Sequence, residues 1–167
     1  MTETKINTSR TENAKKILHE VYDPEIPVLS VLDLGVIRSI REVGEILEVD
    51  ITPTYSACPA MKVIEMSVQA ALDQAGLGPV KINTVLDPVW TTDWMSAEGK
   101  VKLLEYGIAP PQLSARIKNL SLGNTTISCP QCASTNTVCI SEFGSTACKA
   151  LYKCKDCLEP FDYFKCH

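Results

Sequence analysis

The sequence predicts an α+β protein built in two parts, a small mixed sheet with helices followed by a small cysteine-rich unit. Three observations carry that expectation. Apolar residues repeat at helical spacing in some stretches and gather as β-branched, strand-like runs in others. Eight cysteines stand in 167 residues, and seven of them fall between Cys129 and Cys166. The stretch 108–126, with Pro110 and Pro111, interrupts both patterns and reads as a linker. The expected organisation is a polar, flexible N-terminus over 1–10, a mixed domain over 11–107, the linker over 108–126 and the cysteine unit over 127–167.

The first helix is expected from Thr11 to Val21. Ala14, Ile17, Leu18 and Val21 share one face, and Ser9 with Glu12 has capping-box spacing. Pro24 and Pro27 forbid its continuation. From Val31 to Arg41 the chain turns apolar and β-branched. After a turn at Gly44-Glu45 the pattern resumes at Ile46, Leu47, Val49 and Ile51, which predicts a hairpin. Pro59 suits a first helical position, and Ala60, Val63, Ile64, Val68, Ala71, Leu72 and Ala75 form an apolar stripe that Gly76 and Gly78 can end. A third strand over Val80 to Leu86 and a short helix from Ser96 to Tyr106, closed by Gly107, complete this part. Its length suffices for one buried core. The cysteine unit is too short for that and needs a staple.

Composition narrows the function. With 45% hydrophobic and 22% charged residues the chain has the balance of a soluble globular protein. It contains no unbroken apolar run long enough for a membrane helix. Its first residues carry charge without an apolar stretch behind them, so no secretory signal is expected, and a cytoplasmic location is. The net charge of -4 lies entirely before Cys129, which argues against nucleic acid as the main partner. In a reducing compartment, clustered thiols serve as metal ligands or redox groups more often than as disulfides.

Cys129-Pro-Gln-Cys132 and Cys154-Lys-Asp-Cys157 are two C-x2-C knuckles. Each places two sulfurs on one side of a tight loop, and two facing knuckles supply four thiolates to one tetrahedral ion. Between them, TNTVCISEF and STACKALYK read as two strands joined near Gly144. That is the layout of a zinc ribbon with Cys129, Cys132, Cys154 and Cys157 as ligands. Zinc is the default metal, while iron or an iron–sulfur cluster, held stably or transiently, stays open. Cys139 and Cys148, in the expected strands, read as packed thiols, although Lys149 beside Cys148 could lower its pKa. Cys166 and His167 are a further soft pair or a frayed end.

Cys58 stands apart from the cluster, at the start of the helix that follows Pro59. The positive end of a helix favours a thiolate. Spacing alone fits a structural and a functional cysteine equally. The two histidines, His19 and His167, are far from Cys58 in sequence, so the Cys/His pair of a hydrolase has no support. Asp23 and Glu25 offer paired carboxylates on a loop stiffened by Pro24 and Pro27, where capping and turn formation is the commoner role. Trp90 and Trp94 read as core anchors or partner contacts.

The stretch DPEIPVLSVLDLGVIRSI followed by ITPTYSACPAM resembles the MIP18 (DUF59) family, whose members help deliver iron–sulfur clusters to target enzymes. The loop at Asp23 to Pro27, the Asp33-Leu34-Gly35 step and T-P-T-x3-C-P at Thr52 to Pro59 carry the resemblance, which runs over about 11–107. Further on, DPVWTTDWMSAEGKVKLLEYGIAPP and SEFGSTACKALYKCKDCLEPFDYFKCH are similar to the D-component family of phenylacetyl-CoA ring-epoxidase systems, so the likeness covers nearly the whole chain. The resemblance implies a MIP18-like fold and an accessory, non-catalytic role in aerobic phenylacetate degradation. There a multicomponent di-iron oxygenase epoxidises the aromatic ring. It implies partners among the other proteins of that system, above all a reductase carrying a 2Fe–2S cluster. The family's reactive cysteine falls on Cys58 and its acidic loop on Asp23 and Glu25, and Thr54 of the T-P-T step joins them as a candidate site residue. One departure is that Ala133, where many knuckles have glycine, follows Cys132.

The residues agree independently. The chain lacks the Glu-x-x-His helices of a di-iron oxygenase and the G-x-G-x-x-G loop of a nicotinamide- or flavin-binding reductase. Two other readings stay open at this level, a cluster-carrying electron-transfer protein and a purely structural one that docks on the oxygenase through Trp90 and Trp94. A homodimer is equally compatible with the sequence.

Overall fold

The computed structural model describes residues 9–55, 57–112 and 126–165. The readings made for residues 1–8, for 113–125 of the expected linker, and for Cys166 and His167 lie outside these described residues.

Ser9 caps α1 (Arg10–Leu18), its hydroxyl accepting the Glu12 N–H at 3.2 Å. The helix stops short of the expected Val21. There the chain turns back so that Tyr22 bridges Ser30, and the Val21 carbonyl accepts the Val31 N–H at 2.8 Å. Residues 31–36 differ from expectation as well, forming a buried turn instead of a strand. Asp33 Oδ2 accepts the Ser30 N–H and hydroxyl at 3.2 and 3.0 Å and folds the segment over. Gly35, at φ +73, closes it. A Cβ there would stand 2.2 Å from the Trp94 carbonyl oxygen, so the close approach requires glycine.

The hairpin forms one turn later, between β1 (Ile37–Val43) and β2 (Ile46–Ile51). Along β2, Leu47, Val49 and Ile51 are fully buried while the residues between them are not, the two-residue period of a strand with one covered face. That face is covered by α1 and by α2 (Ala60–Gln74), whose buried Ala60, Met61, Ile64, Val68 and Leu72 recur at helical spacing. Burying each large aliphatic side chain contributes about 1.5–3 kcal/mol. Helix α2 is also the crossover that lets β3 (Val80–Thr84) pair parallel with β2, giving the order β1-β2-β3. A short 3-10 turn (Thr92–Trp94) leads to α3 (Ala97–Glu105), whose cap Ser96 accepts the Gly99 N–H at 2.8 Å and donates to Asp33 Oδ1 at 2.9 Å.

Ile108–Ala109, at the beginning of the expected linker, form a strand, β4. It pairs parallel with β7 (Pro160–Phe164) in a second sheet of order β4-β7-β6-β5. There β5 (Thr137–Ser141) and β6 (Lys149–Cys154) are the expected hairpin, while β7 is an addition to it. Its alternation explains its place. Phe161 and Tyr163 point into a small core with Ala109, Ile127, Cys129, Ala150 and Cys154, whereas Phe164 joins the core of the first part. Trp90, 1% exposed, locks this junction. Its Nε1 donates to the Leu34 carbonyl at 3.0 Å and its ring meets Phe164 edge-on, centroids 6.1 Å apart. Trp90 is thus a core anchor, and the half-buried Trp94 carries the Arg38 guanidinium 3.3 Å over its ring.

Candidate metal centre and thiol site

The two knuckles face each other. Sγ of Cys129 and Cys157 lie 3.7 Å apart, those of Cys132 and Cys154 lie 3.6 Å apart, and all four fall within 4.8 Å of one another. Four thiolates around a single ion at the usual zinc–sulfur bond length of about 2.3 Å would stand about 3.8 Å apart. The donor set therefore fits one tetrahedral ion. A cluster would interpose sulfide and further metal atoms and push thiolates on different irons farther apart.

Local backbone chemistry makes this arrangement. The Cys129 N–H donates to Ser134 O, Ala133 N–H to Cys129 O and Cys154 N–H to Glu159 O, each at 2.9 Å. The residue after each second cysteine is left-handed, Ala133 at φ 60 and Leu158 at φ 67. The first knuckle thus closes as the second does, and the absence of glycine at Ala133 costs about 1–2 kcal/mol without altering the turn. Asp156 ties the knuckles together, accepting from the Ser134 hydroxyl and from Asn136 Nδ2 at 2.7 Å. The Cys157 and Asp156 N–H groups aim at Cys154 and pull its thiol down to about 7.

A different set of groups surrounds Cys58. This half-buried residue sits two positions before α2, its N–H donating to the Tyr55 carbonyl at 3.1 Å. Pro59 is the N-cap and not the first helical residue, and no described side chain caps the helix. The loop leading in is buried. Thr54 is 9% exposed, and Thr52 Oγ1 is buried with no hydrogen-bond partner among the described residues. Burial, the Cys58 thiol bonded to it, and the charges of Glu25 and Cys148 push the Tyr55 phenol up to about 12.

The acidic loop reaches the same place. Asp23 Oδ1 accepts the Glu25 and Ile26 N–H groups at 2.7 and 2.8 Å, the turn-forming role expected of it. Burial still raises its carboxyl, outweighing those N–H groups and the nearby Lys149 ammonium. Glu25 is raised by burial and then by Asp23, again opposed by Lys149.

Cys148 and Lys149 come from the ribbon, and both are 6% exposed. The sequence neighbourhood suggests that Lys149 lowers the Cys148 pKa. Instead burial raises it, with Glu25 and Asp23 adding to the rise against the Thr146 hydroxyl and Lys149. Cys139 also departs from expectation, since it is exposed on β5 and not packed. Tyr55 thus feels Cys58, Glu25 and Cys148, and Cys148 in turn feels Glu25, Asp23 and Lys149. The only sequence signal for Cys148 is its excess over a four-ligand set.

Comparison with known proteins follows the same division. A family described as "Iron-sulfur cluster assembly protein" matches residues 11–86, and one described as "PaaD zinc beta ribbon domain" matches residues 114–165. The crystal structure of a DUF59 domain from Bacillus anthracis shares the fold of the first part, with TM-score 0.53 and 23% identity over 56% of this chain and 91% of that one. By fold and domain content this is an iron–sulfur assembly domain joined to a zinc ribbon. The chain is 39% identical over 95 residues to the "Fe-S protein maturation auxiliary factor" of Porphyromonas gingivalis, covering 55% of this chain and 89% of that protein. It is 48% identical over 150 residues to the putative D component of the 1,2-phenylacetyl-CoA epoxidase of Escherichia coli K12, covering 90% of this chain and 89% of that one. The chain belongs to this PaaD family of epoxidase components. No helix among the described residues is long and apolar enough to cross a membrane.

Proposed function

We propose that the chain is an accessory maturation component of a phenylacetyl-CoA epoxidase system, assisting cluster assembly in its iron–sulfur reductase and catalysing no ring chemistry itself. The observation that carries this reading is the placement of Cys58, half-buried beside Tyr55 and the Asp23–Glu25 loop, within the iron–sulfur assembly domain. Iron and sulfide are the cargo. Cys58 is the transient thiolate contact, and Asp23 and Glu25 are the carboxylates that hold or pass its proton. Thr54 lies buried on the loop that presents Cys58 and acts there as a positioning residue.

In the ribbon, Cys129, Cys132, Cys154 and Cys157 would hold a zinc ion, which offsets two of the four thiolate charges and ties two loops together. The ribbon then serves as a fixed platform for a client protein in the cytoplasm. Co-expressing the reductase with a Cys58→Ser chain tests the proposal through iron and sulfide per reductase. Cluster content is expected to fall towards that of cells lacking this protein, and full occupancy overturns the reading.

A further inference from the structure

Among the described residues four strands end the two sheets, and three of these edges are blunted. β1 carries Arg38, Arg41 and Glu42, β3 carries Lys81, and β4 is only two residues long. The fourth, β5, is Thr137-Val138-Cys139-Ile140-Ser141, with neither charge nor proline, a composition that leaves an edge open to another strand. Its Val138 is 40% and its Ile140 54% exposed, and Cys139 is exposed with them. The Lys155 N–H donates to the Asn136 carbonyl at 2.8 Å, so Asn136 turns its backbone inward towards β6. By alternation Cys139 turns its N–H and carbonyl to the free edge. The turn after β5 is held on the other side, where the Lys165 ammonium, just past β7, donates to the Glu142 carbonyl and stands 4.3 Å over the Phe143 ring.

We propose that β5 is a self-pairing edge, to which a second copy of this chain adds its own β5, antiparallel about a two-fold axis at Cys139. The occupant follows from the order of residue types in Asn136-Thr137-Val138-Cys139-Ile140-Ser141-Glu142, which reads alike from either end. The axis sets Val138 of one copy opposite Ile140 of the other, Thr137 opposite Ser141 and Asn136 opposite Glu142. Apolar thus meets apolar, hydroxyl meets hydroxyl, and each carboxylate meets a neutral amide. The two Glu142 side chains lie six residues apart along the ladder, about 20 Å, well beyond the screening length of about 8 Å. The two Cys139 residues face each other as a hydrogen-bonded pair with Cα atoms about 5.5 Å apart, within reach of a disulfide. Ile140 is the extra residue where the register shifts between Cys139 and Ser141, and the bend it makes keeps the ladder short. A short ladder gives one small isologous interface and a transient dimer. Such pairing accounts for an exposed thiol that the metal cage leaves over, and it is independent of what Cys58 does.

Sedimentation equilibrium of the full, zinc-loaded chain under reducing conditions tests the pairing. The mean mass is expected to rise from one chain towards two between about 10 μM and 1 mM. Ile140→Lys puts a charge on the edge and should weaken association at least about tenfold. Met66→Lys, at a similarly exposed apolar position on α2, should leave it unchanged. Should Ile140→Lys lose its zinc and fold poorly, the wild type alone still decides. Diamide, which takes two electrons and two protons from a pair of thiols, is expected to trap a dimer whose cross-linked peptides, identified by mass spectrometry, join Cys139 to Cys139. A chain that stays monomeric at about 1 mM, association untouched by Ile140→Lys, or a cross-link through another cysteine in place of Cys139 overturns the inference. So does a monomeric chain that binds the reductase and loses it in Ile140→Lys, since the edge then takes a client strand.

Discussion

The ribbon cage gathers four of the seven described cysteines, whereas Cys58 stands apart from them, and the two regions treat their thiols in opposite ways. In the cage, four thiols from two copies of one short motif converge within 4.8 Å, and backbone N–H groups and Asp156 fix the loops that carry them. That donor set leaves no open position for a substrate. Around Cys58, which remains half-buried, the neighbouring Tyr55 phenol feels a thiol and a carboxylate from distant segments, Cys148 and Glu25. A saturated, symmetric donor set holds a fold together. A mixed and partly accessible one suits cargo that arrives and leaves.

The largest expected effect separates the two regions. Cys154→Ser removes a fully buried ligand, and structural zinc supplies about 10–16 kcal/mol to comparable small units. The second sheet should lose its dispersed amide resonances in NMR spectra, while α2 and β1–β3 keep theirs. Trp90→Ala comes next, at about 3–5 kcal/mol by denaturant unfolding, because it empties the contact with Phe164 and orphans the Leu34 carbonyl.

The smallest effect is one of sign. Burial works to raise the Asp33 carboxyl, but the bonds from Lys102, Ser96 and Ser30 outweigh it and hold the group below its ordinary 3.8. The folded state then binds fewer protons, so this contribution is present above pH 3.8 and disappears as pH falls through the lower folded value. Asp23 is raised instead, so its folded form binds more protons and the protein loses stability as pH rises from 3.8 through the raised value. Urea midpoints measured against pH should therefore change slope in opposite directions for Asp33→Asn and Asp23→Asn, by on the order of 1 kcal/mol.

Local rules make much of this legible. Ser9 and Glu12 mark a helix start, the apolar stripe from Ala60 marks α2, and the spacing of four cysteines foretells a cage because all its ligands lie on two short loops. Residues 31–36 mislead, since buried turns and strands are equally apolar, and only the Asp33 bonds and the Gly35 approach to Trp94 separate them. Strand β7 has no counterpart among the expected elements, although Phe161 and Tyr163 belong to one core and Phe164 to the other. The packing of the second sheet on the first core depends on β4–β7 pairing and on Trp90 meeting Phe164, long-range contacts that leave no periodic trace.

The central claim is that the cage holds the fold and Cys58 carries the function. Metal and sulfide analysis of anaerobically purified chain, dialysed against a mild chelator, tests it most directly. About one zinc per chain should remain in the wild type and in Cys58→Ser, and none in Cys129→Ala. Iron retained with acid-labile sulfide at the four ribbon cysteines, or loss of the tightly held ion in Cys58→Ser, would contradict it.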